Sequence, residues 1–274
     1  MNRAAKWMVA LALLAIAATV LAQRWGFRDS SDRGDTPEWS NEPGFEKDVF
    51  TFTRVQYDSG YGRGRGRGGD WSTDWPDADL NFSYRLQQLT AMKVDPKGKY
   101  LRLTNPDLVN HPFLYMAEPG RLQFDEEEVK ALRRHLLNGG FLMVDDFWGE
   151  AEYENFYEQI KRVFPEREPA ELPLDHPIFH CIFDLKEKPQ LPSMHHVQRN
   201  RGRPNESYER PDARQVNYRG IFDDKGRMMV IICHNTDLGD GWEREGEDEY
   251  YFREYAEKKA YPMGINIVFY AMTH

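Results

Sequence analysis

The stretch "GGFLMVDDFWGE" (139–150) leaves its surroundings little choice. Residues 141–144 have no polar face, and a strand apolar on both sides belongs in the middle of a parallel sheet, with helices above and below. The flanking sequence supplies those helices. In "FDEEEVKALRRHLLNGG" (124–140), Asp125 is the expected N-cap and Glu128 completes a capping box. Phe124 and Val129 have staple spacing, Gly139 stops the helix, and Val129, Leu132 and Leu136 form its buried stripe. Residues 152–163 then place Phe156, Ile160 and Val163 on one side before Pro165. Upstream, "VFTFTRVQY" (49–57), "KYLRLT" (99–104) and "HPFLYMA" (111–117) read as strands. Between the first two, a helix capped by Asp79 carries Phe82, Leu86 and Leu89 on one face. This alternation predicts an α/β fold: a doubly wound, mostly parallel sheet in a three-layer sandwich. Downstream, "NYRGIF" (217–222) and "RMMVIIC" (227–233) flank "DDKG" as a hairpin. "HNTDLGDGWE" (234–243) reads as a loop, and residues 248–258 as helical. A C-terminal helix, "YPMGINIVFYAMTH", is striped by Ile265, Val268, Phe269 and Met272.

The first 22 residues stand outside this plan. A basic start at Arg3 and Lys6, an uncharged apolar run over 7–20 and "VLA" at 20–22 have the three parts of a secretory signal peptide. The expected location is periplasmic or extracellular, the alternative being a membrane anchor formed by residues 7–22. The Ser-, Asp- and Gly-rich residues 23–48 read as a flexible linker. Residues 49–274 then form a single domain with loop insertions at about 58–79 and 186–216. The first insertion contains "GRGRGRGG", but a formal net charge of −9 argues against nucleic-acid affinity, so no nucleic-acid partner is expected. The only membrane contact expected is through the N-terminal segment, if uncleaved. Cys181 and Cys233 both lie in apolar runs, where free buried cysteine is common.

In an open parallel sheet, ligands bind beyond the carboxyl ends of the strands. Three segments are expected there: Asp70, Trp71 and Asp74; Asp145 and Asp146; and His234, Asn235 and Asp237. Adjacent strand residues point to opposite faces, so Asp145 should turn inward to accept hydrogen bonds. Asp146 should face the crevice or cap the next helix. Asp146 and His234 are the candidate catalytic pair, and Asp146, His234 and Asp237 are candidate ligands for a divalent metal. Turn-forming Asp and Gly explain the 234–243 run without a metal, and its acids miss EF-hand spacing, so no cofactor is required. Nucleophilic catalysis has little support. There is no "GxSxG", Cys233 and His234 diverge as strand neighbours, and so do His195 and His196. Pro177 separates His176 from His180.

Several ordered motifs carry a family resemblance: "FTRVQYDSG", "DADLNFSYRLQQLT", "GGFLMVDDFWG", "LPLDHPIFH", "VIICHNTDLGDGWE" and "YPMGINIVFYAMTH". Together, over about residues 48 to 274, the chain resembles the domain of unknown function 4159 family. The resemblance implies a class I glutamine amidotransferase-like fold, a flavodoxin-type sandwich, and supplies no activity. Amidotransferases carry a nucleophilic cysteine on a strand-to-helix elbow. Here the comparable elbow is "VDDFWG", with Asp145 and Asp146 in that position, so thiolate amide hydrolysis is not expected. The functional expectation is a non-catalytic module of the bacterial envelope that binds a polar small molecule, a carbohydrate or an envelope protein. The alternative is a metal-assisted or Asp/His-dependent hydrolase using the same crevice.

Overall fold

The computed structural model describes residues 34, 36–44, 48–60 and 71–274. The expected signal peptide, most of the linker, and Asp70 lie outside the described residues.

The chain alternates as its hydrophobic pattern requires. It runs β1 (Thr53–Gln56), β2 (Asp58–Ser59), α1 (Asp77–Leu89), β3 (Lys99–Arg102), β4 (Phe113–Ala117), β5 (Leu122–Gln123), α2 (Glu126–Leu137), β6 (Phe141–Asp145) and α3 (Gly149–Val163). There follow β7 (Ala170–Glu171), α4 (Met194–Asn200), β8 (Asn217–Phe222), β9 (Met228–His234) and α5 (Leu238–Glu243). Last come α6 (Glu249–Tyr251), a π-helical stretch (Phe252–Ala260) and α7 (Tyr261–Thr273). Seven strands make one sheet in the order β3-β1-β4-β6-β9-β8-β7, and β2 pairs with β5 separately. The five strands from β3 to β9 are mutually parallel, whereas β8 runs antiparallel to β9 as the expected hairpin. Numbered by their own succession, the parallel strands lie 2-1-3-4-5, a common doubly wound order whose direction reverses between β1 and β4.

Alternate residues feed two cores. Phe113, Tyr115, Phe141, Met143, Ile231 and Cys233 face α1, α5 and α7. Leu114, Met116, Leu142, Val144, Val230 and Ile232 face α2 and α3. The result is three layers with β6 at the centre, both of its faces buried. The α2 capping box is present: Asp125 Oδ1 accepts from Glu128 N at 2.8 Å and Glu128 Oε2 accepts from Asp125 N at 3.1 Å. Asp125→Ala is expected to lower stability by about 1 kcal/mol in urea denaturation.

The structure differs from expectation in several places. Asp79 is not a cap, because α1 begins at Asp77 directly after Pro76, which puts Asp79 inside the first turn and fully buried. Residues 238–243 are helical rather than loop: Asp237 caps α5 by accepting from Asp240 N, and packing overrides two glycines. The 186–216 excursion carries α4 and buries Leu191, Met194, Val197 and Ala213. Its charged residues conceal an apolar spacing of three. Part of the expected linker lies on the body, where Trp39 Nε1 and Asn41 Nδ2 donate to the Val94 carbonyl at 3.0 and 2.9 Å. Met272 is exposed, so the stripe of α7 ends one turn early. Both cysteines are free, Cys233 within β9.

Candidate functional site

The carboxyl ends of β4, β6 and β9, with the loop entering α1, make one rim. Among the described residues, four non-glycine positions have left-handed backbones, and all four are on it: Asp74 (φ 62°), Glu118 (φ 46°), Asp146 (φ 58°) and Asn235 (φ 63°). Glu118, Asp146 and Asn235 each follow the last residue of a strand. Such conformations are uncommon for residues with a side chain and are stored where the surroundings over-determine them.

Arg54 of β1 organises the first of these loops from below. It and Asp79 are completely buried and paired at 2.5 Å. Arg54 Nη1 also donates to the carbonyls of Trp71, at 3.0 Å, and Thr73. Its guanidinium lies 5.0 Å from the centre of the Tyr115 ring. Asp74 follows at once, and its Oδ2 is buried with no hydrogen-bond donor among the described residues.

Strand β6 ends at Asp145, which accepts from Gly239 N at 3.0 Å and from the Tyr115 hydroxyl at 3.2 Å. Its Oδ1 has no donor among the described residues, and burial pushes its carboxyl up to about 7. The left-handed turn at Asp146 redirects the next carboxylate, which is over nine-tenths buried and accepts from Trp148 Nε1 at 3.3 Å. Asp146 does not cap α3. From the third segment comes Asp237, 4 % exposed, at the start of α5. Gly239 permits this closeness, since a Cβ there would stand 2.8 Å from the Tyr115 hydroxyl and 2.9 Å from Asp74 Oδ2.

Oxygens of Asp74, Asp146 and Asp237 thus lie within 4.8 Å of one another. Burial, then neighbouring carboxylates, holds all three well above the usual carboxylate range. A second trio, Asp74, Asp240 and Glu243, overlaps the first. The two trios differ in charge balance. Arg244 is within ion-pair distance of Asp240 and Glu243, and Met194 N donates to Asp240 Oδ2 at 2.6 Å. No basic side chain forms an ion pair with Asp74, Asp146 or Asp237 among the described residues, and Arg54 is committed to Asp79. Buried like charges without a counter-charge are costly, and three converging oxygens suit a hard divalent cation.

His234 does not join them. Its position in β9 points it to the α2–α3 face, between the rings of Phe147 (5.0 Å) and Tyr153 (4.9 Å). There Nε2 donates to the Gly149 carbonyl at 3.1 Å. Burial first, then Arg219, depresses its pKa to about 4. The folded protein therefore resists a proton that the unfolded chain takes up near pH 6.5. Stability is full above pH 6.5 and declines towards pH 4, by about 3 kcal/mol for this residue. Urea denaturation at pH 7 and pH 4 should show the wild type losing that much more than His234→Gln.

Asn235 braces the rim instead of opening onto it. Its Oδ1 accepts from Gly149 N and its Nδ2 donates to the Gln215 carbonyl, both at 2.8 Å. Trp71 is buried against Tyr100, 4.8 Å between ring centres. The residues that complete the site, Arg54, Tyr115 and Glu118, had weaker signals: an arginine inside an apolar strand, a tyrosine inside another, and an acid just past a strand end.

The family model described as "Domain of unknown function (DUF4159)" matches residues 51–272. The chain belongs to the DUF4159 family. The match runs from β1 almost to the end of α7, so every rim residue described above lies within the DUF4159 domain. No curated protein matches the chain.

Proposed function

We propose that this DUF4159 protein is an exported, non-catalytic binding module of the bacterial envelope. In this reading it grips a polar ligand, such as a carbohydrate, through a divalent cation held by Asp74, Asp146 and Asp237. The observation that carries the proposal is the convergence of three carboxylates from three separate segments, Asp146 and Asp237 buried and Asp74 partly so with its Oδ2 buried, none in an ion pair among the described residues. Carboxylate oxygens favour Ca²⁺, Mg²⁺ or Mn²⁺ over softer metals. The 2-1-3-4-5 strand order and the strand-to-helix elbow at Asp145 and Asp146 support a glutamine amidotransferase-like ancestry without its cysteine. Export is supported by the N-terminal sequence pattern.

Calorimetric titration of chelator-stripped protein with each cation tests the proposal. One site per chain is expected, lost in Asp146→Asn, with oligosaccharide binding dependent on the cation. No cation heat, and no thermal shift on adding any of the three, would refute it.

Metal-assisted hydrolysis is the second reading, favoured by Asp145. A buried carboxyl next in sequence to Asp146, with an oxygen that no described donor reaches, could act as general base. Cation-dependent turnover of ester or glycoside substrates, abolished by Asp145→Asn, would establish it over the first. His234 cannot serve as base, since it faces the other layer.

A further inference from the structure

A second concavity lies far from the acidic rim, near the amino ends of β4 and β6. It opens between the connection 103–112 and the C-terminal half of α2, and encloses about 410 Å³. Small-molecule sites typically occupy about 300–1,000 Å³. Its walls are mixed: Leu103, Leu108, Val109 and Ala131 make an apolar side, and Thr104, Asn105 and Asn138 are among the polar residues of the lining. Val109 is 79 % exposed, the most of any large hydrophobic described. Arg134 and His135 stand next to the apolar side. Arg134, the only formally charged lining residue, has no carboxylate within ion-pair distance among the described residues. Beside it, Nε2 of His135 is buried with no hydrogen-bond partner. A Cβ on Gly140 would stand 2.4 Å from that nitrogen, so the glycine leaves room for the ring in the cavity wall.

Helix-end cations are common, and Arg134 and His135 both sit in the last turn of α2. Dipole complementarity alone, however, explains neither the apolar cleft beside them nor the unsatisfied imidazole. We propose that the cavity binds a small apolar carboxylate, its hydrocarbon against Val109 and Leu108 and its carboxylate on Arg134, beside the His135 ring. The charge suits the ligand, since the one cation in the cavity stands on a protein of net charge −9 and would hold an anion that the rest of the surface repels. This site is independent of the cation reading.

The test uses full-length protein with octanoate and 1-octanol as probes, followed by the imidazole resonances of the histidines. Octanoate is expected to shift the His135 signal saturably, and 1-octanol to bind at least about tenfold more weakly. Arg134→Gln, at an exposed position, should weaken octanoate about tenfold with unchanged thermal stability. Val109→Asp, which puts a like charge at the mouth, should abolish the shift. Three results would overturn the proposal: no saturable shift with octanoate, equal affinity for the alcohol, or equal octanoate affinity in Arg134→Gln.

Discussion

Arg54→Met is expected to destabilise the protein by about 3–5 kcal/mol, among the largest effects of any single substitution. The reason is what it leaves behind. Asp79 is wholly buried, and burial raises its carboxyl pKa even with the guanidinium in place. Without Arg54 it keeps its desolvation and loses its partner, while the Trp71 and Thr73 carbonyls lose their donor. The double change Arg54→Met with Asp79→Leu removes both charges and should recover most of the stability, as buried ion pairs often allow. Guanidinium denaturation of both variants reads this directly. The double variant has a further use. If Arg54 places Asp74 through those carbonyls, cation affinity should stay low even where stability returns.

The second large effect has an unusual sign. Asp237→Asn should raise the stability of the cation-free protein, on the order of 1–3 kcal/mol, because it takes one negative charge from a buried group lacking a counter-charge. The same change should weaken divalent-cation binding about 100-fold or more, beyond what supporting residues around a metal typically cost. Wild type at a hundredfold excess of cation over Kd should gain about 2.7 kcal/mol, and the variant at most about 0.4. Thermal denaturation should therefore show the variant above wild type in chelator, with cation shifting the balance towards wild type by about 2.3 kcal/mol. Had Asp237 been only a helix cap, replacement by asparagine would leave both conditions nearly unchanged, since asparagine caps equally well.

How much of this was legible depends on which interaction decides each element. Helix α2 was readable because its capping box and stripe are local in sequence, and β6 because an all-apolar run has few alternatives. Asp146 and Asp237 were readable as rim residues, since Asp146 directly follows the apolar strand β6 and Asp237 lies three residues past the apolar strand β9. His234 also follows one, yet strand phase decides its face. Both faces of β9 are apolar, so only the register Val144↔Ile232 against β6 shows that His234 shares a face with Val144 and not with Asp145. Asp74 was expected at the rim together with Asp70 and Trp71, but no periodicity in a long Gly-rich loop singles it out as the acid that meets Asp146 and Asp237. Its position comes from a buried arginine 20 residues away, an interaction invisible to any local pattern. Asp79 misled for a related reason: an aspartate near a helix start reads as a cap until Pro76 is seen to set the start earlier.

The four left-handed residues on the rim carry a further meaning. Their conformations are fixed by the strand ends and by Arg54, so the mould is already cast. If the rim holds a cation as proposed, capture requires dehydration of the ion but little ordering of the chain, the penalty for freezing loops having been met during folding.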